Sequence, residues 1–321
     1  MQKIGIIGGA GYTGGELLRL LLNHPEVEIS FVHSHSQAGK HLWEVHQDLL
    51  GETDIRFSAE VQKDIDVLFA CAGHGKTKPF LAENDFPDSL KIIDLSRDFR
   101  LASDDHDFVY GLPELQRETI QKAKHIANPG CFATCIQLAL LPLAKAGELK
   151  QEVHIHALTG STGAGQKPVG TTHFSWRNNN ISIYKAFSHQ HLGEITQSLK
   201  QLQHGFDHAL NFLPLRGDFS RGIYASVYIN TDLSAEAATE LYQSYYDSHP
   251  FTHVSPSNPH LKQVVNTNKA IVHVQKIEGK LLIISMIDNL LKGASGQAVQ
   301  NFNLMSGLDE QTGLHLKAIA F

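Results

Sequence analysis

A cysteine at position 131 lies where a loop turns into a helix, the place in which a thiol ionises most easily. It follows Pro129 and Gly130 and precedes a long apolar run. Free N–H groups and the dipole at a helix N-terminus favour the thiolate, the nucleophilic form of cysteine. We therefore predict that Cys131 is an exposed nucleophile. Cys71 and Cys135 lie in apolar runs and are predicted to be buried structural cysteines.

Two histidines could provide the proton transfer that thiol chemistry needs. They are His189 and His191, and the carboxylate of Glu194 follows where the next helix begins and could orient either ring. Residues i and i+2 of an extended segment point to the same side, so both rings are expected to reach the substrate. The sequence does not say which of them is the acid/base. Zinc binding by the pair is the alternative, but further ligands are not evident and no metal is predicted.

A glycine-rich segment near the N-terminus has the spacing of a dinucleotide-binding loop. Gly8, Gly11 and Gly14 recur every three residues between a predicted strand and a predicted helix, with Tyr12 and Thr13 between them. Such glycines permit a tight turn and a close approach of the backbone to a pyrophosphate at the helix N-terminus. The alternative is a packing turn without a ligand, and the strand–turn–helix context argues against it.

The end of the second predicted strand indicates which dinucleotide binds. NAD sites usually carry a carboxylate there for the ribose 2′-hydroxyl. Residues 32–40 contain no carboxylate and include Ser34, Ser36 and Lys40, whose hydroxyl and ammonium groups suit a 2′-phosphate. The predicted cofactor is therefore NADP(H), and an ordinary polar loop is the alternative.

Further donors for anionic groups are spread along the chain. A guanidinium can bind phosphate or carboxylate in a bidentate manner, and the backbone N–H groups of a glycine-rich loop can hold an oxyanion. Taken alone, each such segment is more often a solvated loop. The candidates are Arg100, Arg216 and Arg221, together with Ser161 and Gly163 of a glycine-rich loop that follows a predicted strand.

Composition narrows the class of protein. The chain has 321 residues, 42% of them hydrophobic and 19% charged, which fits a globular protein with a substantial core. A net charge of -6 gives no basic field for nucleic acid or for an anionic membrane surface. No stretch approaches the roughly 18 apolar residues that span a bilayer. Three scattered cysteines and no signal segment predict a reducing, cytoplasmic setting.

The pattern of elements changes at Pro129. Before it, apolar runs rich in β-branched residues alternate with helical segments, which predicts βαβ units and a parallel sheet. After it, helices at 132–146 and 235–246 accompany a hairpin formed by 269–277 and 281–287. The predicted fold is α/β. A Rossmann-like domain comprises 1–130 and 296–321, and an α+β catalytic and oligomerisation domain comprises 131–295.

Taken in order, several segments resemble the N-acyl-γ-glutamyl-phosphate reductases, the semialdehyde-forming enzymes of arginine biosynthesis. This chain has Gln190 and Gly193 where the family's histidine segment has arginine and proline, and Phe132 and Ala133 where the family more often has Tyr-Pro. The segments that carry the resemblance are 8–16, 94–100, 110–114, 129–134, 161–165, 189–194, 220–222 and 288–298.

The resemblance implies a reaction and several roles. The Cys131 thiolate attacks an acyl phosphate and expels phosphate, NADPH reduces the resulting thioester, and the thiohemiacetal releases an aldehyde. A histidine moves the proton and loop N–H groups hold the oxyanion. Arg100 and Arg221 bind the substrate, and the segment with Asn289 and Gly293 lies on the nicotinamide side. Members of the family are homo-oligomers, which here implies a dimer or a tetramer.

The acyl group of the substrate is the least determined feature. An acetyl group needs a small apolar slot, whereas a succinyl group brings a carboxylate that must be paired when desolvated. Arg177 is a candidate partner, although a lone arginine in a polar loop is usually exposed. The predicted substrate is N-acetyl-L-glutamyl 5-phosphate. Two other substrates remain open, namely the N-succinyl analogue or, if the protein is an aspartate-semialdehyde dehydrogenase, the substrate of that enzyme. The alternative to an enzyme is a non-catalytic dinucleotide sensor.

Overall fold

The computed structural model describes residues 1–319, which form two compact units. The first unit comprises Met1–Pro129 and Ala294–His315. The second comprises Gly130–Gly293 and residues 316–319. The junctions expected from sequence were 130/131 and 295/296, with the last residues in the first unit. Residues 316–319 instead contact the second unit, where the Ile319 N–H donates to Val265 O at 3.4 Å.

A seven-stranded parallel sheet is the centre of the first unit. It is ordered β3-β2-β1-β4-β5-β7-β6, and every neighbouring pair is parallel. The order reverses beside β1, and ligands of such sheets bind outside the carboxyl ends of the strands at this point. The strands are β1 (Gln2–Ile7), β2 (Val27–His33), β3 (Phe57–Ser58), β4 (Val67–Ala70), β5 (Lys91–Asp94), β6 (Val109–Tyr110) and β7 (His125–Ala127).

A mixed seven-stranded sheet is the centre of the second unit. It is ordered β12-β13-β14-β11-β8-β10-β9, with β8/β10 and β12/β13 parallel and the other pairs antiparallel. The predicted hairpin is β13/β14, which turns through Glu278 and Gly279 at positive φ. The strands are β8 (Val153–Thr159), β9 (Ser182–Ile183), β10 (Leu210–Arg216), β11 (Ile223–Asn230), β12 (Thr252–Val254), β13 (Ala270–Ile277) and β14 (Lys280–Ile287).

The helices cover the two sheets. In the described part of the chain they are α1 (Tyr12–Leu21), α2 (Leu42–Val45), α3 (Thr77–Glu83), α4 (Pro113–Lys122), α5 (Cys131–Lys145), α6 (Phe174–Arg177), α7 (His191–Leu202), α8 (Ala235–Tyr246) and α9 (Gly296–Met305). Helix α9 contacts β5, α1 and α4. Helix α5 is apolar on all sides because α7, α8 and the second sheet surround it.

The predicted fold class, α/β with a Rossmann-like parallel sheet domain and a second, α+β domain, is confirmed. The sequence does not predict the two-residue strands β3, β6 and β9, because so short a pairing has no periodicity. It also does not predict β10, in which Pro214 argues against a strand. No helix within residues 1–319 is long and apolar enough to cross a membrane.

Candidate active site

The glycine turn after β1 has the close packing that a dinucleotide loop requires. Gly8 has φ of +73°, and a Cβ there would lie 2.5 Å from the backbone of Ala72. A Cβ on Gly14 would lie 2.6 Å from Gly9 O. At Gly11, just before α1, the nearest atom to an added Cβ is Gly8 O at 3.7 Å. Two glycines therefore permit the tight turn, while the third leaves open backbone at the helix N-terminus, which fits a pyrophosphate.

The first residues of α1 are held in place by the rest of the first unit. Thr13 O accepts the Ser295 hydroxyl at 2.8 Å. Tyr12 remains 39% exposed at the carboxyl edge of the sheet. Below the turn, the buried ring of His46 donates from Nε2 to Gly9 O at 2.8 Å. His46 could not be identified from the sequence, because its approach to Gly9 depends on the fold of residues 34–50.

The segment after β2, residues 34–40, contains hydrogen-bond donors and no carboxylate. Ser34 is buried and its N–H donates to Ser58 O at 3.0 Å, whereas Ser36 and Lys40 are exposed. Lys40 Nζ donates to Gln37 Oε1 at 3.0 Å. The exposed guanidinium of Arg56 donates to Gly39 O at 2.7 Å. The sequence alone does not relate Arg56 to this segment, because the pairing of β3 with β2 brings the two together.

Arg100 closes the carboxyl ends of two neighbouring strands. It is buried, and its guanidinium donates to Asn128 O from Nε at 2.9 Å and to Leu95 O from Nη2 at 3.1 Å. Asp94 lies beside it, and burial raises the pKa of that carboxyl although the Thr77 hydroxyl donates to it. Arg100 therefore holds the ends of β5 and β7 together, and its part in substrate binding stays a prediction.

Cys131 is the first residue of α5. Gly130 caps the helix in an extended conformation and accepts the Thr134 N–H at 2.8 Å. Cys131 is partly exposed. One turn later the thiol of Cys135 donates to a backbone carbonyl, and burial raises the pKa of both Cys135 and Cys71 to about 12. Only Cys131 combines access with a helix N-terminus.

His189 and His191 lie together beside this helix start. Their ring centroids are 4.6 Å apart, and the ring of Phe132 contacts both at 5.5 and 6.4 Å. The segment is not extended as expected, because Gln190 is helical and His191 begins α7. The His191 N–H donates to His189 Nδ1 at 3.2 Å, so the neutral His189 ring carries its proton on Nε2. Burial, with a smaller contribution from Lys185, lowers the pKa of His189 to about 4.

Glu194 connects the histidines to the nucleophile turn. Its Oε2 accepts the Gly130 N–H at 2.9 Å, and its Oε1 lies 4.0 Å from His191 Nε2. The carboxylate is 3% exposed, so these contacts are made away from water. Glu194 therefore fixes the residue before Cys131 and provides a negative charge for a protonated His191.

The glycine-rich loop after β8 does not offer the donors predicted from sequence. The Ser161 N–H donates to Phe219 O at 2.9 Å, and the Thr162 N–H donates to Ser220 O at 3.1 Å. The Gly163 N–H donates to Gly160 O at 3.3 Å. The neighbouring 219–220 segment and the turn itself therefore already use these N–H groups, and the assignment of Ser161 and Gly163 to substrate binding stays a prediction.

The residues that follow β14 are held in place by hydrogen bonds within the second unit. Asp288 is fully buried and accepts two hydrogen bonds from Arg221, at 3.0 and 3.1 Å, and one from Asn266 N at 2.7 Å. Asn289 accepts the Gly222 N–H at 2.7 Å. A Cβ on Gly293 would lie 2.9 Å from the Cβ of Cys131, so this glycine leaves room for the nucleophile.

Three further side chains of the second unit, those of Tyr184, Arg216 and Arg177, lie on or near the paired strands β9 and β10. Tyr184 has its ring 5.8 Å from that of His189, and burial together with the charge of Cys131 raises the pKa of its phenol. The Arg216 guanidinium lies 4.5 Å from the centre of the Tyr184 ring. Arg177 is buried, contrary to the exposure expected for a lone loop arginine. The sequence could not relate these residues, because the pairing of β9 with β10 joins their segments.

Comparison with known proteins agrees with this geometry. Residues 3–123 match the family model described as the NAD binding domain of semialdehyde dehydrogenase, and residues 131–289 match the model of its dimerisation domain. The N-acetyl-gamma-glutamyl-phosphate reductases of Parabacteroides distasonis and Bacteroides thetaiotaomicron are 60% and 61% identical to this chain, over 100% of each pair of chains.

Solved structures share the fold at low sequence identity. The aspartate semialdehyde dehydrogenase II of Vibrio cholerae, complexed with ASA, superposes with a TM-score of 0.72 at 18% identity over 96% of this chain and 98% of that chain. The aspartate semialdehyde dehydrogenase of Candida albicans with NADP gives 0.69 at 14% identity over 95% and 99%. The family models and the full-length relatives establish that the chain belongs to the N-acetyl-gamma-glutamyl-phosphate reductases of the semialdehyde dehydrogenase family.

Proposed function

We propose that this protein reduces N-acetyl-L-glutamyl 5-phosphate to N-acetyl-L-glutamate 5-semialdehyde and phosphate in arginine biosynthesis. The observation that carries the proposal is the accessible Cys131 at the start of α5, beside two buried histidines. Relatives about 60% identical over their full length bear the name of this reductase. The Rossmann-like sheet with its glycine turn supplies a site for the reductant.

The first step is acyl transfer to the thiol. The Cys131 thiolate forms a C–S bond with the acyl carbon, the carbon–oxygen bond to phosphate breaks, and inorganic phosphate leaves. The negative charge that develops on the acyl oxygen needs donors, and the loop around Ser161 uses its own N–H groups internally. We assign this role to the N-terminus of α5, where the helix dipole favours a negative charge.

The second step releases the aldehyde. NADPH, when bound at the glycine turn, supplies the hydride that reduces the thioester carbon. The resulting thiohemiacetal on Cys131 then collapses as its C–S bond breaks and the carbonyl forms. A proton must be added to or removed from the substrate oxygen and also the thiol. A histidine performs these proton transfers.

The two histidines have different proposed roles, proton transfer and substrate binding. We assign proton transfer to His191, because the Glu194 carboxylate at 4.0 Å stabilises an imidazolium there. His189 stays neutral, since its pKa is lowered to about 4, and its Nε2–H is suited to donate a hydrogen bond to the substrate. Arg221 and Arg100 are the proposed ligands of the substrate's anionic groups, each already anchored by contacts within its own unit.

The proposed function is tested in the reverse direction. NADPH formation from N-acetylglutamate semialdehyde should require inorganic phosphate and should exceed the rate with aspartate semialdehyde. A higher rate with aspartate semialdehyde would favour the alternative dehydrogenase. Phosphate-independent turnover would contradict the acyl phosphate mechanism, and binding of NADPH without any turnover would indicate a dinucleotide sensor.

NADPH should be preferred over NADH. Ser36, Lys40 and Arg56 surround a segment without a carboxylate, and a hydrogen bond to a charged group contributes about 1.5–3 kcal/mol. We expect kcat/KM to be roughly ten- to a hundred-fold higher with NADPH. Lys40→Met and Arg56→Met should reduce that ratio, whereas Lys122→Met, which removes an exposed lysine from α4, should not. Equal values for the two cofactors in the unmodified enzyme would refute this assignment.

We further propose that the protein is a cytoplasmic homo-oligomer, a dimer or a tetramer. Support comes from the match of the second unit to a dimerisation domain. The face of its sheet away from α5 carries partly exposed side chains such as Leu158, Tyr224 and Tyr228. Light scattering should give at least twice the mass of 35.5 kDa. A monomer at micromolar concentration would contradict the proposal.

A further inference from the structure

Arg177 brings a buried positive charge without a counter-ion into the second unit. Its side chain is only 8% exposed. Nη2 donates to Gly217 O and lies 3.4 Å from Asn180 O, while Nε and Nη1 are shielded from water and have no hydrogen-bond partner among residues 1–319. A desolvated guanidinium with unused donors is costly unless it is paired. A carboxylate would provide both the charge and the acceptors.

Arg216, beside Gly217, is a second cation that lacks an acidic partner. Its Nη1 donates to Thr171 Oγ1 at 2.8 Å and its guanidinium stacks on the Tyr184 ring. No ion pair is formed by Arg216 or Arg177 within the described residues. Asp218, the nearest carboxylate in sequence, accepts the Asn179 N–H at 2.8 Å instead.

A series of contacts links His189 to Arg216 and Arg177. The Tyr184 ring contacts that of His189, and the charge of Cys131 contributes to the raised pKa of the Tyr184 phenol. Arg216 lies on the same tyrosine, and Arg177 binds the carbonyl of the residue that follows Arg216. The two guanidiniums therefore belong to the same contact network as His189, through Tyr184 and Gly217.

We propose that Arg177 and Arg216 form a subsite for a carboxylate of the substrate and determine its specificity. The inference rests on the proposed function. N-acetylglutamyl phosphate carries one such group, its α-carboxylate, and the N-succinyl analogue carries a second on the acyl chain. Both are carboxylates with the same chemistry, and the experiment separates them.

A purely structural role is the competing explanation. Both guanidiniums fasten residues 170–180 to the end of β10 through Thr171 and Gly217, and this clamp could be their whole contribution. A clamp would affect every substrate alike, because it makes no contact with a carboxylate. A carboxylate subsite affects only substrates that carry the group.

The test measures kcat and KM in the reverse direction with three aldehydes. They are N-acetylglutamate semialdehyde, its N-succinyl analogue, and 4-acetamidobutanal, which lacks every carboxylate. The variants are Arg177→Met and Arg216→Met, with Lys167→Met as the control that removes an exposed cation from the same loop. The unmodified enzyme should prefer the carboxylate-bearing aldehydes by at least roughly ten-fold.

Each arginine variant should lose roughly ten- to a hundred-fold in kcat/KM, mainly through KM, with carboxylate-bearing aldehydes and little with 4-acetamidobutanal. A loss shared by the acetyl and succinyl compounds identifies the α-carboxylate, and a loss confined to the succinyl compound identifies the acyl carboxylate. An equal loss with all three aldehydes, or a similar loss in Lys167→Met, overturns the subsite.

The unmodified enzyme alone also tests the subsite, so the proposal can be refuted even if an arginine variant fails to fold. Equal kcat/KM for aldehydes with and without a carboxylate would refute the subsite while leaving the proposed function intact. Turnover of none of the three aldehydes would refute the proposed function itself.

Discussion

Replacing Cys131 by alanine is expected to abolish turnover. Both chemical steps pass through a covalent bond to this sulfur, and loss of a covalent nucleophile lowers kcat by roughly a million-fold in a comparable case. NADPH binding should be nearly unchanged, because the glycine turn and the segment 34–40 belong to the first unit. The measurements are steady-state kinetics in the reverse direction and NADPH affinity by fluorescence titration.

Cys135→Ala is the matched control. This thiol lies one turn further along the same helix, is fully buried and donates to Ser285 O at 3.2 Å. The variant should keep most of the activity. Limited alkylation at pH 8 should label Cys131 alone, because burial raises the pKa of Cys135 and Cys71 to about 12. Wild-type turnover by Cys131→Ala would show that the thioester mechanism is wrong.

His191→Asn is expected to lower kcat by roughly two to four orders of magnitude, the usual contribution of general acid–base catalysis. His189→Asn should act mainly on KM, because a neutral ring that donates from Nε2 binds the substrate without exchanging a proton. His156→Asn is the control, since that ring is exposed on β8. If His189→Asn alone lost kcat, the two assignments would be reversed. If neither variant lost more than a few-fold, another histidine would carry the role.

The pH dependence gives an independent measurement of the same assignment. Because the pKa of His189 is lowered to about 4, its ring stays neutral as the pH falls from 7 towards 5. Any acid limb of kcat/KM caused by His189 should therefore lie near pH 4, and an inflection near 6 should belong to another group. His189→Asn should leave an inflection near 6 in place, and its disappearance would contradict the neutral role.

The features that the sequence determined by itself are those encoded locally. The glycine turn, the start of α5 at Cys131 and the hairpin through Gly279 depend on the conformational limits of a few adjacent residues. Ser234 likewise caps α8, its Oγ accepting the Ala237 N–H at 3.1 Å. The alternation of buried strands and helices was sufficient for the fold class, because each element's periodicity reports which face it buries.

Only the tertiary structure decided which donors are free and which charges are paired. The loop around Ser161 has the composition of an oxyanion loop, yet residues about 60 positions away use its N–H groups. Arg177 has the sequence context of an exposed residue, yet it is buried on Gly217. Glu194 reaches Gly130 across 64 positions. Hydrogen bonding and burial depend on partners that strand pairing and helix packing bring together, and no local pattern of residues specifies those partners.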